Sequence, residues 1–101
     1  MTCTIFITEC AKAEIQQITN YLENVLKSKQ AKDNFIGKLR HMQEILQESP
    51  ELYAISSTPE IKAIEGRVAP IGNYTMIYVL KENVVIVAHV FHRLQNYAKL
   101  I

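Results

Sequence analysis

Residues 72–91 read Gly72-Asn73-Tyr74-Thr75-Met76-Ile77-Tyr78-Val79-Leu80-Lys81-Glu82-Asn83-Val84-Val85-Ile86-Val87-Ala88-His89-Val90-Phe91, and the rest of the architecture is arranged around them. Tyr74, Met76, Tyr78 and Leu80 alternate with Thr75, Ile77 and Val79, which is the period of two that a strand requires. Gly72-Asn73 ahead of it and Lys81-Glu82-Asn83 behind it supply hairpin connections, the second expected to be three residues long. Residues 84–91 carry no formal charge, and Val84-Val85-Ile86-Val87-Ala88 leaves no polar face, so this strand is expected to lie centrally and to be covered on both sides. Upstream, residues 63–69 follow period two around Gly66. Three consecutive strands joined by short turns make an antiparallel meander.

The first half of the chain has a different period. Residues 2–8 alternate, with Cys3, Ile5 and Ile7 on one face and Thr4, Phe6 and Thr8 on the other, and predict a short strand that joins the meander's edge or lies within it. Thr8 offers a hydroxyl to cap a helix, and Glu9 falls in its first turn, where the positive end of the dipole favours an acid. Ala11, Ile15, Ile18, Leu22, Val25 and Leu26 then build an apolar stripe. Ser28 interrupts it; Ala31, Phe35, Leu39, Met42 and Leu46 resume it until Pro50 ends the second helix. The short connection predicts an antiparallel two-helix hairpin packed on one face of the sheet. Residues 51–60 have no period and predict a loop. The class is α+β, with residues 1–101 forming one domain.

Composition excludes several functions. Hydrophobic residues make up 49% of the 101, charged ones 21%, with three Gly and three Pro, which excludes disorder and collagen-like repetition. There is no uncharged apolar run of about 18 residues and no secretory leader, so a cytoplasmic protein with no membrane partner is expected. Cys3 and Cys10 form no CxxC and have no His at ligand spacing, so both are read as inert thiols, with no metal and no cofactor. The net charge of +1 is unevenly divided: residues 1–60 hold six Lys/Arg against eight Asp/Glu, residues 61–101 five against two. Any active surface is expected on the basic sheet half.

No catalytic motif of high specificity is present. Among the polar residues of the later strands, Arg67 has the guanidinium that holds a phosphate through paired hydrogen bonds, or alternatively pairs with Glu65 or Glu82. His89 and His92 stand three apart and point to opposite faces of a regular strand; His89 shares parity with Val85, Val87 and Phe91 and reads as a packed sheet histidine. His92, at the strand's end, is placed for proton exchange in phosphodiester cleavage. Tyr97 could stack on a base or donate to a phosphate, or else clip the C-terminus to the core with Leu100 and Ile101. The second sheet face has only a short tail to cover it, and an apolar face of that kind marks an interface.

Taken in order, Thr8-Glu9-Cys10-Ala11, Ile18-Thr19-Asn20-Tyr21-Leu22, Leu46-Gln47-Glu48-Ser49-Pro50, Gly66-Arg67-Val68, Gly72-Asn73-Tyr74-Thr75-Met76-Ile77-Tyr78 and Val90-Phe91-His92-Arg93-Leu94-Gln95-Asn96-Tyr97 resemble the RelE/ParE superfamily of bacterial type II toxins. The resemblance implies a toxin that arrests growth when free of the cognate protein antitoxin that wraps and neutralises it. It implies one of two targets. ParE-like members poison DNA gyrase, whereas RelE-like members cut mRNA in the ribosome by positioning a ribose 2′-OH. On the RelE-like reading Arg67, His92 and Tyr97 would be catalytic, and Lys62, Lys81 and Arg93 would bind the substrate. Where many relatives carry arginine, this chain has Thr75 and Leu94. The long helical hairpin and the sparse bases favour the ParE-like branch, and the missing arginines leave room for a degenerate toxin that only binds its antitoxin.

Overall fold

The computed structural model describes residues 2–95. Strand β1 spans Thr4–Ile7, helix α1 Glu9–Asn20, helix α2 Lys29–Glu48 and a short helix α3 Pro59–Lys62; strands β2, β3 and β4 span Arg67–Ile71, Tyr74–Lys81 and Val84–His92. The four strands form one sheet in the order β1-β4-β3-β2. Strands β2, β3 and β4 are the expected antiparallel meander. Strand β1 joins its edge, pairing parallel with β4 from Thr4 opposite Val84 to Ile7 opposite Val87.

The cap read at Thr8 is present, and Ser28, read only as an interruption of the stripe, caps the second helix in the same way. The hydroxyl of Thr8 accepts from the Ala11 amide at 3.1 Å, and that of Ser28 from the Ala31 amide at 3.1 Å, so both long helices start where an oxygen satisfies an otherwise unpaired donor. Between them the chain departs from a regular helix. Residues Tyr21–Val25 form a π turn, in which the Leu26 amide donates to the Tyr21 carbonyl at 3.0 Å. The extra residue per turn swings the end of the apolar stripe outward, leaving Val25 65% and Leu26 51% exposed. Lys27 then takes a left-handed φ of 56°, and the Ser28 amide closes the turn on the Leu22 carbonyl at 2.9 Å.

Three sequence expectations need correction. Residues 63–65 are not strand, and residues 59–60 are not loop but open helix α3: Pro59 sits in the first helical turn behind Thr58, and the chain leaves α3 through Glu65 at φ 57°. The second hairpin turn has two residues rather than three, because Lys81 pairs with Val84 and Glu82 supplies the left-handed φ of 57° that the tight connection needs. Strand β4 is internal, but Val84, Ile86 and Ala88 on its second face are only half-buried.

A bulge explains a fourth difference. Ile77 pairs with His89 and Tyr78 with Val87, so Ala88 is an extra residue on β4. Before it Val85 and Val87 face the main core; after it Val90 does, while Phe91 joins a second cluster with Ile61 and Ile77. His89 therefore does not share a face with Val85 and Val87 as its parity predicts.

The main core lies between the helices and the sheet, where Leu22, Phe35, Leu39, Met42 and Leu46 meet Met76, Tyr78, Val85, Val87 and Val90. Across the sheet, Ile61 of α3 covers Ile77 and Phe91. Gly66 makes that crossing possible. A Cβ there would lie 2.6 Å from Ile61 Cγ2, 3.1 Å from the Ile61 carbonyl and 3.2 Å from Ile77 Cγ2. Gly66→Ala is expected to lower the unfolding free energy by about 1–2 kcal/mol through overpacking, read as a lower denaturant midpoint with an unchanged slope. An unchanged midpoint would show that Ile61 moves aside freely.

Candidate functional site

Two ends of the sheet hold the polar residues singled out by the sequence, and they are far apart. At the first end, Arg67 opens β2 opposite Tyr78. Its Nη1 donates to the Tyr53 carbonyl at 2.6 Å, and the Tyr78 hydroxyl donates to the Pro50 carbonyl at 2.8 Å. Ile55 forms an isolated bridge with Arg67, and the Ser56 amide donates to the Gly66 carbonyl at 2.9 Å. These contacts pin residues 50–56, which have no period of their own, to the sheet. Arg67 thus pairs with neither Glu65 nor Glu82 among the described contacts. Burial pushes the Tyr78 phenol above its ordinary value, while the Tyr53 backbone and then the Arg67 guanidinium pull it back.

At the second end, His92 closes β4 opposite Tyr74. Phe35, Tyr74 and His92 form a chain of edge-on rings, with centroids 4.8 Å and 5.4 Å apart. Burial, then the neighbouring Tyr21, raise the Tyr74 phenol from its ordinary 10.0. The Leu94 amide donates to His92 Nδ1 at 3.2 Å. That contact occupies the Nδ1 edge of the ring.

Arg67 and His92 are not brought together. Their partners Tyr78 and Tyr74 lie four residues apart on β3, roughly 13 Å along the strand. The other cations are equally dispersed and exposed: Lys62 ends α3, Lys81 ends β3 at the far side of the sheet, and Arg93 follows β4, its amide donating to the Asn73 carbonyl at 2.9 Å. Lys81 is seven residues from Tyr74 along β3, roughly 23 Å from the end where Arg93 lies. Tyr97 falls outside the described residues.

What the second end does assemble is a groove of about 440 Å³. Its floor is Leu22, Phe35, Ile71 and Tyr74; Tyr21 and Leu26 from the π turn, with Lys38 and His92, form its walls. The π turn exposes its apolar residues here, with Tyr21 49% accessible. Gly72, at φ 58°, lets Lys38 lie across the β2–β3 turn, where a Cβ would come within 3.1 Å of the ammonium. Such a surface suits an extended or helical segment carrying apolar side chains and acidic groups. The sequence reading missed it, because Leu22 and Leu26 read as stripe residues of a regular helix and Tyr21 has no place on that stripe.

Residues 5–97 match the sequence profile of a family described as the ParE toxin of the type II toxin-antitoxin system, parDE. The fold is similar to a chain in a solved structure described as the chromosomal ParDE TA system from P. aeruginosa. The TM-score is 0.69 at 14% identity, over 90% of this chain and 96% of that one. No curated protein sequence matches the chain. Among the described residues no helix is long and apolar enough to cross a membrane.

Proposed function

The chain belongs to the ParE toxin family of type II toxin-antitoxin systems, and on that premise we propose that it arrests growth by poisoning DNA gyrase, without nucleolytic chemistry of its own. The observation that carries this reading is the commitment of Arg67 to the Tyr53 carbonyl at 2.6 Å, at the opposite end of the sheet from His92. Cleavage by 2′-OH attack needs a base and a phosphate-holding cation around one phosphodiester, a few ångströms apart. Here the cation serves a loop and the imidazole lone pair accepts from Leu94. A poison that acts by binding a protein target needs neither group to converge.

A cognate protein antitoxin is the neutralising partner on this reading, and the groove between the π turn and the β2–β3 turn is where its apolar, acidic segment would sit. Lys38 supplies the complementary charge. The whole protein would act in the cytoplasm.

The two targets separate cleanly in a direct comparison. Added to gyrase with relaxed plasmid, the protein is expected to block supercoiling and to leave cleaved DNA trapped on the enzyme. Added to a translation reaction, it is expected to leave mRNA intact by primer extension. Ribosome-dependent cuts that vanish in His92→Ala would establish the RelE-like alternative instead. Expression without growth arrest would show a degenerate toxin.

A further inference from the structure

Away from the groove, the start of α1 crosses the edge of β4 that β1 leaves uncovered. Strand β1 stops pairing at Val87, and from there the edge is satisfied by α1 and its cap: the Thr8 amide and hydroxyl both donate to the Val87 carbonyl, and Glu14 Oε1 accepts from the Val90 amide at 3.1 Å. The bulge at Ala88 sends His89 toward the same helix. Its Nδ1 lies 3.3 Å from Glu14 Oε2 and 3.7 Å from Cys10 Sγ. Cys10 and Glu14 are one helical turn apart and therefore share a face of α1. The three donor atoms all lie within 4.8 Å of one another.

From this cluster we infer that Cys10, Glu14 and His89 form a Zn²⁺ site that ties the first turns of α1 to β4. The set mixes a sulfur, an imidazole nitrogen and a carboxylate oxygen, the donors that zinc takes. Tetrahedral zinc, with bonds of about 2.3 Å to sulfur and about 2.0–2.1 Å to nitrogen and oxygen, puts sulfur and nitrogen about 3.6 Å apart and nitrogen and oxygen about 3.3 Å apart. The observed separations of 3.7 Å and 3.3 Å match these two spans, and the Cys10 and Glu14 ligand atoms, within 4.8 Å of each other, reach the third by side-chain rotation.

The carboxylate is also anchored, because Glu14 Oε1 is held by the Val90 amide and Oε2 is left for the ion. Binding replaces the direct His89–Glu14 contact by two metal bonds, releases the Cys10 thiol proton to solvent, and clears the Nδ1 proton of His89, which goes to solvent from the doubly protonated ring or moves by exchange to Nε2 in the neutral one. Water completes the fourth position. Sequence spacing hides the site, since Cys10 and His89 are 79 positions apart and meet only through the parallel pairing of β1 with β4.

Cobalt reports on it independently of toxicity or target. Titrating Co²⁺ into the reduced full-length protein is expected to produce a thiolate-to-cobalt charge-transfer band that saturates at one equivalent, and Zn²⁺ to displace it. Cys10→Ser, an exposed position, is expected to abolish the band with the fold intact by circular dichroism, whereas Cys3→Ser keeps it. Glu14→Gln is expected to weaken zinc at least about tenfold. Zinc should raise the melting temperature of the parent protein and of Cys3→Ser, but not that of Cys10→Ser. No band in the parent protein, or an undiminished band in Cys10→Ser, would overturn the assignment and leave His89 and Glu14 as an ordinary ion pair.

Discussion

Arg67→Met is expected to lower the unfolding free energy by about 2–3 kcal/mol and yet to leave a protein that still arrests growth at reduced temperature. Methionine keeps most of the hydrophobic stem and removes only the donors. The half-buried guanidinium donates to the Tyr53 carbonyl at 2.6 Å, and a hydrogen bond to a charged group at such a site is worth roughly 1.5–3 kcal/mol. Its loss strands the carbonyl and loosens residues 50–56, which are otherwise held by the Tyr78 hydroxyl, the Ile55 bridge and the Ser56 amide. In a domain of 101 residues this corresponds to a fall in melting temperature of roughly 10 °C. A phosphate-binding arginine predicts the reverse pattern. Were Arg67→Met as stable as the parent but harmless to cells, the side chain would belong to a substrate site and the gyrase reading would lose its main support.

Local chemistry made most of this fold legible. Thr8 and Ser28 cap helices, Pro50 follows the end of one, and Gly72-Asn73 turns a hairpin because in each case the needed donor, acceptor or dihedral is supplied within four residues. The start of helix α3 reads as loop, because the helix's four residues are too few to show a helical period. The π turn and the Ala88 bulge carry no Gly or Pro and leave no local trace. Each inserts one residue into a regular period: one leaves Tyr21 and Leu26 exposed, and the other shifts the register at His89, which lies beside Glu14. Arg67 reads as a phosphate holder or a partner of Glu65 or Glu82, whereas its partner is a backbone carbonyl fourteen positions away in a segment without periodicity. No side-chain pattern could announce it.

The π turn leads to the larger effect on neutralisation. Leu26→Asp is expected to weaken the complex with the cognate antitoxin at least about 100-fold, so that co-expressed antitoxin no longer rescues growth. Leu26 is 51% exposed in the free chain, so an aspartate there is solvated and the fold is expected to hold. In a complex the same carboxylate would be desolvated among Leu22, Phe35 and Tyr74, would compete with the partner's acidic groups for Lys38, and would repel the acidic segment that Lys38 steers in. The cost falls on the bound state alone, which separates recognition from stability. Phe6→Asp is the matched comparison: Phe6 is 56% exposed on the sheet face opposite the helices, where an acid should leave neutralisation intact. Rescue lost in Phe6→Asp and retained in Leu26→Asp would move the antitoxin to that second face. If both variants lose rescue while melting like the parent, the antitoxin spans the sheet edge and contacts both faces, and the groove holds only part of it.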